Sequence, residues 1–324
     1  MEDKTEGKVL LLGATGLLGR NVLNVLLERD IPVRALVRHP LNADGVEQVM
    51  GNLLEESELL RAAEGCRAIV NCAGATDMSL PKIEDFRPMN RDLPALLCQV
   101  ARRCNIPVLI HVSTANTIAS GTREHPATEQ DPIGPPYDRS PYALSKLEGE
   151  RLLLAFASEQ DKTRVVILNP GFMVGAYDSK PSSGQLLLAG WRKPLMAGTR
   201  GGKSFLHVRD AATAIVNALE KGEGRYLLTG TYLSLRDFYA LQARLLGYRQ
   251  FFITIPKPLA KMSGWLGDLL KGMGIKVIFY SHNVNQLLVE EWYSGERAKR
   301  DLNYPETSIE EAVTDFFKWK TSNK

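Results

Sequence analysis

The chain has 324 residues, of which 44% are hydrophobic and 24% charged, as in an ordinary folded protein with ample apolar material for a core. Its 40 basic and 37 acidic residues leave a net charge of +3, and no basic run is interleaved with aromatic residues, so we expect no nucleic-acid partner. No apolar run approaches the roughly 18–20 residues of a membrane helix, so no membrane span is expected.

The cysteines and histidines argue against a metal site and for a reducing compartment. The four cysteines form no CxxC pair, and the five histidines have no metal-ligand spacing. The polar start of the chain, MEDKTEGK, lacks the apolar segment of a signal peptide. We therefore expect reduced thiols, no bound metal and a cytoplasmic protein.

The first half of the chain alternates short apolar segments with helical patterns. The predicted strands are Lys8–Leu12, Pro32–Val37, Glu47–Met50, Ala68–Cys72, Val108–Val112 and Arg164–Leu168. The predicted helices are Asn21–Arg29, Ser57–Ala63, Leu93–Cys104 and Pro141–Ala157. Because strands that alternate with helices form βαβ units, we expect an α/β fold with a doubly wound parallel sheet.

The rhythm changes after Pro170. The segment 171–203 is rich in Gly, Ser and Pro and shows little periodicity except around 185–191. Beyond it we predict strands at 205–208 and 225–228, helices at 211–219 and 235–246, and a mostly helical remainder from 256 to 320. We expect residues 1–170 to form a dinucleotide-binding domain, with 205–230 returning to it. The smaller, mostly helical part, 171–324, should bind the substrate.

A glycine-rich turn, Gly13–Gly19, joins the first strand to the first helix. Such glycines allow a tight turn, close backbone approach to a pyrophosphate and close packing of helix on strand, and the helix N-terminus attracts the anion. A plain structural turn is the alternative, but the flanking strand and helix favour a Rossmann dinucleotide site. The expected cofactor-binding residues here are Gly13, Thr15, Gly16, Leu17, Leu18 and Gly19.

The end of the second predicted strand indicates which dinucleotide binds. An acidic residue there would bind the ribose 2′-hydroxyl of NAD, whereas an arginine accommodates the 2′-phosphate of NADP. The residue present is Arg38, with Arg34 four positions earlier. We expect NADP, with NAD left open, and place Asn52 and Leu53 beside the adenine.

A tyrosine and a lysine four residues apart, Tyr142 and Lys146, are the candidate catalytic pair. They follow Ser140, a good helix N-cap, and Pro141, which suits the first helical position, so they share one helix face. A cation near the phenol should lower its pKa towards the working range. Thr114, at the end of a predicted strand, should hydrogen-bond the substrate oxygen, although a simple turn that closes the strand is the alternative.

The order of these motifs resembles the extended short-chain dehydrogenase/reductase family. The glycine turn, the Ser/Thr strand end, Tyr-x-x-x-Lys and Asn169-Pro170-Gly171 follow one another as in that family, over nearly the whole chain. The segments 33–38, 178–181, 205–210 and 293–298 are similar to its dihydroflavonol-reductase-like branch, which includes bacterial members described as sugar epimerases.

This resemblance implies roles for individual residues. Thr114 would be the catalytic Ser/Thr, with Ser113 beside it, Tyr142 the acid–base, and Lys146 the group that holds the nicotinamide ribose. Asn90 would be the asparagine near the active-site lysine. Residues expected to line the cofactor are Ala73, Gly74, Ser113, Tyr142, Lys146, Pro170, Gly171, Phe172 and Met173. Two departures from the family pattern are Asn52 in place of the usual Asp and Asn71 in place of the more usual His.

The expected function is hydride transfer between NADPH and a carbonyl or hydroxyl of a small uncharged substrate. The alternatives are a nucleotide-sugar epimerase or dehydratase and, from another class, a catalytically silent NADP sensor. Nucleotide-sugar members of the family commonly carry an arginine where this chain has Lys203, which favours the uncharged substrate. A small-molecule substrate is thus the main partner, and a homodimer is open.

Two other segments invite different interpretations. Residues 197–204 fit a relaxed P-loop pattern, but a strand is predicted after them where a P-loop needs a helix. Residues 259–270 form an amphipathic pattern with Trp265 and flanking lysines. Such a pattern typically covers a substrate pocket or packs at an interface, and contact with a membrane surface is the alternative.

Overall fold

The computed structural model of the protein describes residues 7–77, 80–159, 162–179, 182–273 and 281–322. Its strands are Lys8–Leu12 (β1), Val33–Val37 (β2), Val46–Met50 (β3), Cys66–Asn71 (β4), Val108–Val112 (β5), Arg164–Pro170 (β6), Phe172–Val174 (β7), Leu195–Gly198 (β8), Gly202–His207 (β9), Gly224–Leu228 (β10), Thr231–Ser234 (β11) and Phe251–Thr254 (β12). Its α-helices are Leu17–Glu28 (α1), Glu56–Ala63 (α2), Leu93–Arg103 (α3), Pro141–Glu159 (α4), Gly184–Gly190 (α5), Val208–Asn217 (α6), Leu235–Leu245 (α7), Lys257–Gly272 (α8), Ser281–Leu288 (α9), Glu296–Leu302 (α10) and Ile309–Ser322 (α11).

Seven strands form one parallel sheet in the order β10-β6-β5-β4-β1-β2-β3. The predicted doubly wound α/β fold is therefore confirmed. The strand order reverses between β1 and β4, and the crevice at such a reversal, beyond the carboxyl ends of the strands, is where ligands bind in open α/β sheets. The fold therefore favours a ligand site at the ends of β1, β4 and β5.

Both faces of the sheet are buried, which explains its nearly continuous apolar strands. In β1, Val9 and Leu11 pack into one core cluster with α1 and α6, whereas Leu10 and Leu12 pack into a second cluster with α2, α3 and α4. Each buried leucine or valine contributes on the order of 1.5–3 kcal/mol to the free energy of folding, before entropy is counted. This two-sided core holds the strand ends in place.

The chain after β6 builds two small sheets and returns once to the large one. Strands β11, β9 and β7 form a three-stranded sheet, and β12 pairs with β8 in parallel. Strand β10 pairs with β6 in the large sheet. Of the segment 205–230, its last strand thus joins the large sheet, whereas β9 belongs to the three-stranded one. Among the described residues, no helix is long and apolar enough to cross a membrane.

Candidate active site

Two positions of the glycine turn after β1 require glycine. Gly13 has a φ of 82°, and a Cβ there would lie 2.6 Å from the backbone nitrogen of Ala73. A Cβ on Gly19 would overlap the carbonyl oxygen of Gly13. These two glycines therefore let the turn close onto the end of β4 and let α1 pack onto the turn.

Gly16 has a different role, because a Cβ there would meet nothing closer than 3.6 Å. Thr15 and Gly16 are exposed, and Gly16 is the N-cap of α1 without a side chain to bond the first backbone N–H groups. Leu17 and Leu18 begin the helix, with Leu18 buried in the core. This open helix N-terminus, with its positive end of the helix dipole, fits the pyrophosphate of a dinucleotide.

The two arginines of β2 and its end have separate roles. The Arg34 guanidinium pairs with Glu47 at 2.8 Å and donates to the carbonyl oxygens of Ala62 and Glu64, so it holds β2, β3 and α2 together. Arg38 is exposed directly after β2 and forms no ion pair within the described part of the chain. Arg38 therefore remains an exposed cation at the end of β2.

Asn52 and Leu53 follow β3. The Asn52 side-chain oxygen accepts the Leu54 backbone N–H at 3.1 Å, and Glu58 accepts the Asn52 backbone N–H. Leu53 packs at the margin of the core cluster on the α2 face. The Asn52 side-chain oxygen is thus occupied by its own turn, which leaves its amide nitrogen for a ligand.

Asn71, at the end of β4, bonds the neighbouring turn instead of a ligand. Its side-chain oxygen accepts the Ala73 backbone N–H at 3.0 Å, and its amide nitrogen lies 3.0 Å from Nδ1 of His111. Burial holds the pKa of His111 well below its usual value, so the ring is neutral. The asparagine therefore fixes the position of Ala73 beside the glycine turn.

Helix α4 begins at Pro141, and the Ser140 hydroxyl accepts the Ala143 backbone N–H at 3.4 Å as an N-cap. One residue into the helix, the half-buried Tyr142 lies beside the side chain of Thr114, which stands directly after β5. The Tyr142 ring packs edge-on against Phe86, with ring centroids 5.9 Å apart. The predicted tyrosine and threonine therefore meet at the end of β5.

Burial raises the pKa of Tyr142 to about 12, although the neighbouring Thr114 side chain opposes the rise. The sequence predicts that Lys146 lowers this pKa. In the structure, the lysine ammonium instead donates a hydrogen bond to the backbone carbonyl of Val112 at 3.0 Å. The Tyr142 phenol therefore keeps its proton at neutral pH.

Lys146 is 3% exposed, and burial lowers the pKa of its ammonium to about 8, while Glu150 opposes that fall. A Cβ on Gly74 would lie 2.8 Å from the lysine Nζ and 3.2 Å from the Asn90 side-chain oxygen. Glycine at this position therefore leaves the lysine its space. The end of β4, the asparagine and the lysine converge at one point.

Asn90 lies in a π-helical turn, 88–92, a distortion that is frequent at functional sites. Its side chain exchanges two bonds with the Ala75 backbone, at 2.9 and 3.0 Å, and donates to the Ser145 hydroxyl at 3.0 Å. Gly149 lets α4 approach this turn, because a Cβ there would overlap the Asn90 carbonyl oxygen. Asn90 thus ties the loop after β4 to helix α4.

A buried carboxylate beneath the pair, Glu150, did not figure among the sequence predictions. It accepts bonds from the Ser113 hydroxyl, from the Thr117 hydroxyl at 2.7 Å and from the Asn169 amide at 2.7 Å. Its second oxygen lies 3.1 Å from Nε of Arg225 on β10. The Ser113 hydroxyl is therefore bound to this carboxylate, so Thr114 supplies the hydroxyl next to Tyr142. The signal available in the sequence was spacing, since residues 142, 146 and 150 follow one another at i, i+4 and i+8.

The last predicted segment, Pro170 to Met173, crosses from the large sheet to the three-stranded one. The Gly171 N–H donates to the Leu228 carbonyl at 2.9 Å, and Phe172 packs edge-on against Phe205 with ring centroids 5.3 Å apart. Phe172 and Met173 begin β7, and both are half-buried. This segment therefore borders the site where the two sheets meet.

Known proteins resemble this chain over most of its length. The decarboxylating sterol-4-alpha-carboxylate 3-dehydrogenase of Dictyostelium discoideum is 25% identical, over 81% of this chain and 84% of its own. A protein named putative dihydroflavonol 4-reductase from Synechocystis sp. is 25% identical, over 95% of this chain and 92% of its own. The crystal structure of gox2253 superposes with a TM-score of 0.83 at 25% identity and covers 98% of both chains.

The model of the NAD dependent epimerase/dehydratase family matches residues 9–228. This match runs from β1 through β10 and includes the glycine turn, Thr114, Tyr142 and Lys146. Members among its relatives are named as reductases and dehydrogenases. The chain therefore belongs to the NAD-dependent epimerase/dehydratase family of extended short-chain dehydrogenases/reductases and is an NAD(P)-dependent oxidoreductase.

Proposed function

We propose that this enzyme is an NADP-dependent reductase of a small uncharged carbonyl compound, or the corresponding hydroxyl dehydrogenase. The observation that carries the proposal is the position of Tyr142 beside the Thr114 side chain, with the buried Lys146 one helical turn further along α4. A protein that only binds a dinucleotide has no use for these three groups together. The names of the two relatives, a dehydrogenase and a reductase, support the same chemistry.

In the proposed reaction, Tyr142 donates its proton to the substrate oxygen. Its raised pKa of about 12 keeps the phenol protonated at neutral pH, and Thr114 orients the oxygen by a second hydrogen bond. Lys146 would hold the nicotinamide ribose, while Asn90 supports the loop after β4 and the Ser113 hydroxyl binds the Glu150 carboxylate. The chemistry that a bound nicotinamide supplies is hydride transfer to or from that carbon.

The cofactor site of the proposal consists of the glycine turn, Arg38, the Asn52 loop, Ala73, Gly74 and the segment 170–173. The preference for NADP rests on Arg38, an exposed cation at the end of β2 without an ion-pair partner in the described residues. We further propose that residues 1–170 bind the cofactor and that 171–324 provide most of the substrate contacts.

The uncharged substrate is supported by the surroundings of Lys203. Its ammonium forms an ion pair with Glu291, whose side chain is 5% exposed, and lies 3.4 Å from the Tyr137 hydroxyl. The charge of this lysine is therefore already neutralised, and a diphosphate at this position would meet the carboxylate. Phe172 and Trp191, which pack against the core cluster that includes Phe205 and Phe238, add half-buried apolar surface.

The test is a panel of aliphatic and aromatic ketones and aldehydes, followed by NADPH absorbance, with nucleotide sugars screened in parallel by thermal shift. We expect reduction of at least one carbonyl compound and its loss, by at least roughly a thousandfold, in Tyr142→Phe. The matched control is Tyr248→Phe, which removes a hydroxyl bonded to the Gly190 carbonyl, far along the chain from the site. Cofactor binding by calorimetry should persist in both variants.

Two results would overturn the proposal. Saturable stabilisation by one nucleotide sugar, with its conversion and no carbonyl reduced, would assign the epimerase or dehydratase function instead. Tight NADP(H) binding with no turnover of any compound, and no effect of Tyr142→Phe, would assign a sensor.

A further inference from the structure

Helix α8 presents its large apolar side chains to solvent and its small residues to the protein. The buried positions are Ala260, Gly264 and Gly267. The exposed ones, which we call the apolar face, are Leu259 (51% exposed), Met262 (60%), Trp265 (64%), Leu266 (49%), Leu269 (52%) and Met273 (69%). Residues 259, 262, 266, 269 and 273 follow at steps of three and four, so they line one side of the helix.

This orientation is set by the neighbouring helix. A Cβ on Gly264 would lie 2.9 Å from the Cα of Ser281 at the start of α9, and 3.3 Å from the Cβ of Val284. Asp268 also accepts the Ser281 backbone N–H at 3.1 Å. Rotation of α8 to bury its leucines would drive large side chains into this contact, so the apolar face points outward by construction.

A second exposed apolar surface is formed by β8 and by β12, the strand that precedes α8 in the chain. In the parallel pair β8–β12, Leu195 faces Phe251 and Ala197 faces Ile253 in register, so their side chains share one side of the ribbon. Leu195 is 55% exposed, Phe251 68% and Ile253 46%. Exposed apolar residues that cluster in this way mark an interaction surface, unlike single scattered ones.

The charges around these residues indicate the kind of partner. From residue 249 to 273 the sequence has four basic residues and a single acidic one, Asp268, whereas the whole chain is nearly balanced. Arg249, Lys257 and Lys261 are exposed and form no ion pair within the described part of the chain. A second copy would bring the same positive charges against each other in a two-fold contact, whereas anionic lipid headgroups would neutralise them.

We propose that the apolar face of α8 docks on an anionic lipid bilayer, with the helix lying in the plane of the interface. Leucine, methionine and tryptophan side chains would enter the boundary between headgroups and acyl chains, while Lys257 and Lys261 bind the headgroups. Docking of this kind needs no helix that spans the membrane. It is independent of the reaction proposed above.

The experiment is co-sedimentation of the full chain with vesicles of phosphatidylcholine, with and without phosphatidylglycerol. The test variant is Met262→Glu/Leu266→Glu, and the matched control is Met50→Glu/Leu152→Glu, which replaces the same residue types at exposed positions on β3 and α4. Loss of two apolar contacts and addition of two negative charges should lower the partition coefficient at least roughly a hundredfold. The control should bind like the parent protein.

Two further measurements keep the result decisive. On binding, the tryptophan emission should shift to the blue and be quenched by brominated lipids, and both effects should shrink in Trp265→Phe. Equal binding of the two double variants, or no binding to vesicles that contain phosphatidylglycerol, would refute the proposal. A concentration-dependent dimer in ultracentrifugation, lost in the test variant and accompanied by no vesicle binding, would assign the face to a second copy instead.

Discussion

The replacement Lys146→Met tests how the protein holds the buried lysine of its candidate active site. The ammonium is buried, donates to the Val112 carbonyl at 3.0 Å, and has its pKa lowered from 10.5 to about 8. A base whose pKa falls on folding binds fewer protons in the folded state than in the unfolded state. The free energy of unfolding must therefore rise as pH increases from about 8 towards 10.5.

The size of this rise follows from the two pKa values. Below pH 8, burial of the charged lysine lowers the free energy of unfolding by an amount set by the fall in pKa from 10.5 to about 8. This amount is on the order of 3 kcal/mol. Between about pH 7 and about pH 9.5, the lysine's deprotonation should raise the free energy of unfolding by about 2 kcal/mol. Methionine does not titrate, so Lys146→Met should lack this contribution.

The assay is urea unfolding of the parent protein and of Lys146→Met at several pH values in this range. The difference between their free energies of unfolding should change by about 2 kcal/mol in favour of the parent as pH rises. Lys221→Met, at an exposed lysine, should keep the pH dependence of the parent. If the free energies of unfolding of Lys146→Met and of the parent changed equally with pH, the lysine would not be buried as the structure shows.

Three further predictions concern the cofactor site and its support. NADPH should bind roughly tenfold to a hundredfold more tightly than NADH by calorimetry, and Arg38→Ala should abolish the difference, since a charge-assisted bond is lost. Glu150→Gln should lower the free energy of unfolding by about 3–5 kcal/mol because it leaves the half-buried Arg225 guanidinium without its carboxylate, with only the Glu129 carbonyl and the Thr117 hydroxyl as acceptors, and Arg225→Met in the same chain should restore part of it; full stability of the single variant would contradict this. Gly16→Ala should fold normally but bind the cofactor more weakly. Gly19→Ala should lower the midpoint temperature of unfolding, because its Cβ would overlap the backbone of the turn. Equal midpoint temperatures for the two variants would contradict this packing.

The sheet was predictable because its strands are buried on both faces. Lys8–Leu12 and Val108–Val112 occupy the bounds predicted from their apolar sequence alone. The strands that escaped prediction are short and partly exposed. Leu195–Gly198 and Phe251–Thr254 alternate between exposed and half-buried residues, and they pair with each other across more than fifty residues. Local periodicity carries no information about such a distant partner.

Helix α8 illustrates a different limit of sequence analysis. The pattern at 259–270 correctly indicates an amphipathic helix, yet periodicity does not show which side faces the protein. The usual assumption buries the leucines. Here Gly264 admits the backbone of α9 at a distance that a larger residue would forbid, so the small side is the buried one.

Helix α4 shows why two of its three candidate site residues could be predicted from the sequence and the third could not. Tyr142 and Lys146 belong to a motif that can be recognised at its own spacing, whereas the role of Glu150 depends on Arg225, which β10 brings to the large sheet. Once placed there, the carboxylate raises the pKa of both Tyr142 and Lys146. It thereby favours a protonated phenol and a charged ammonium at neutral pH, and these are the two protonation states that the proposed reduction of a carbonyl requires.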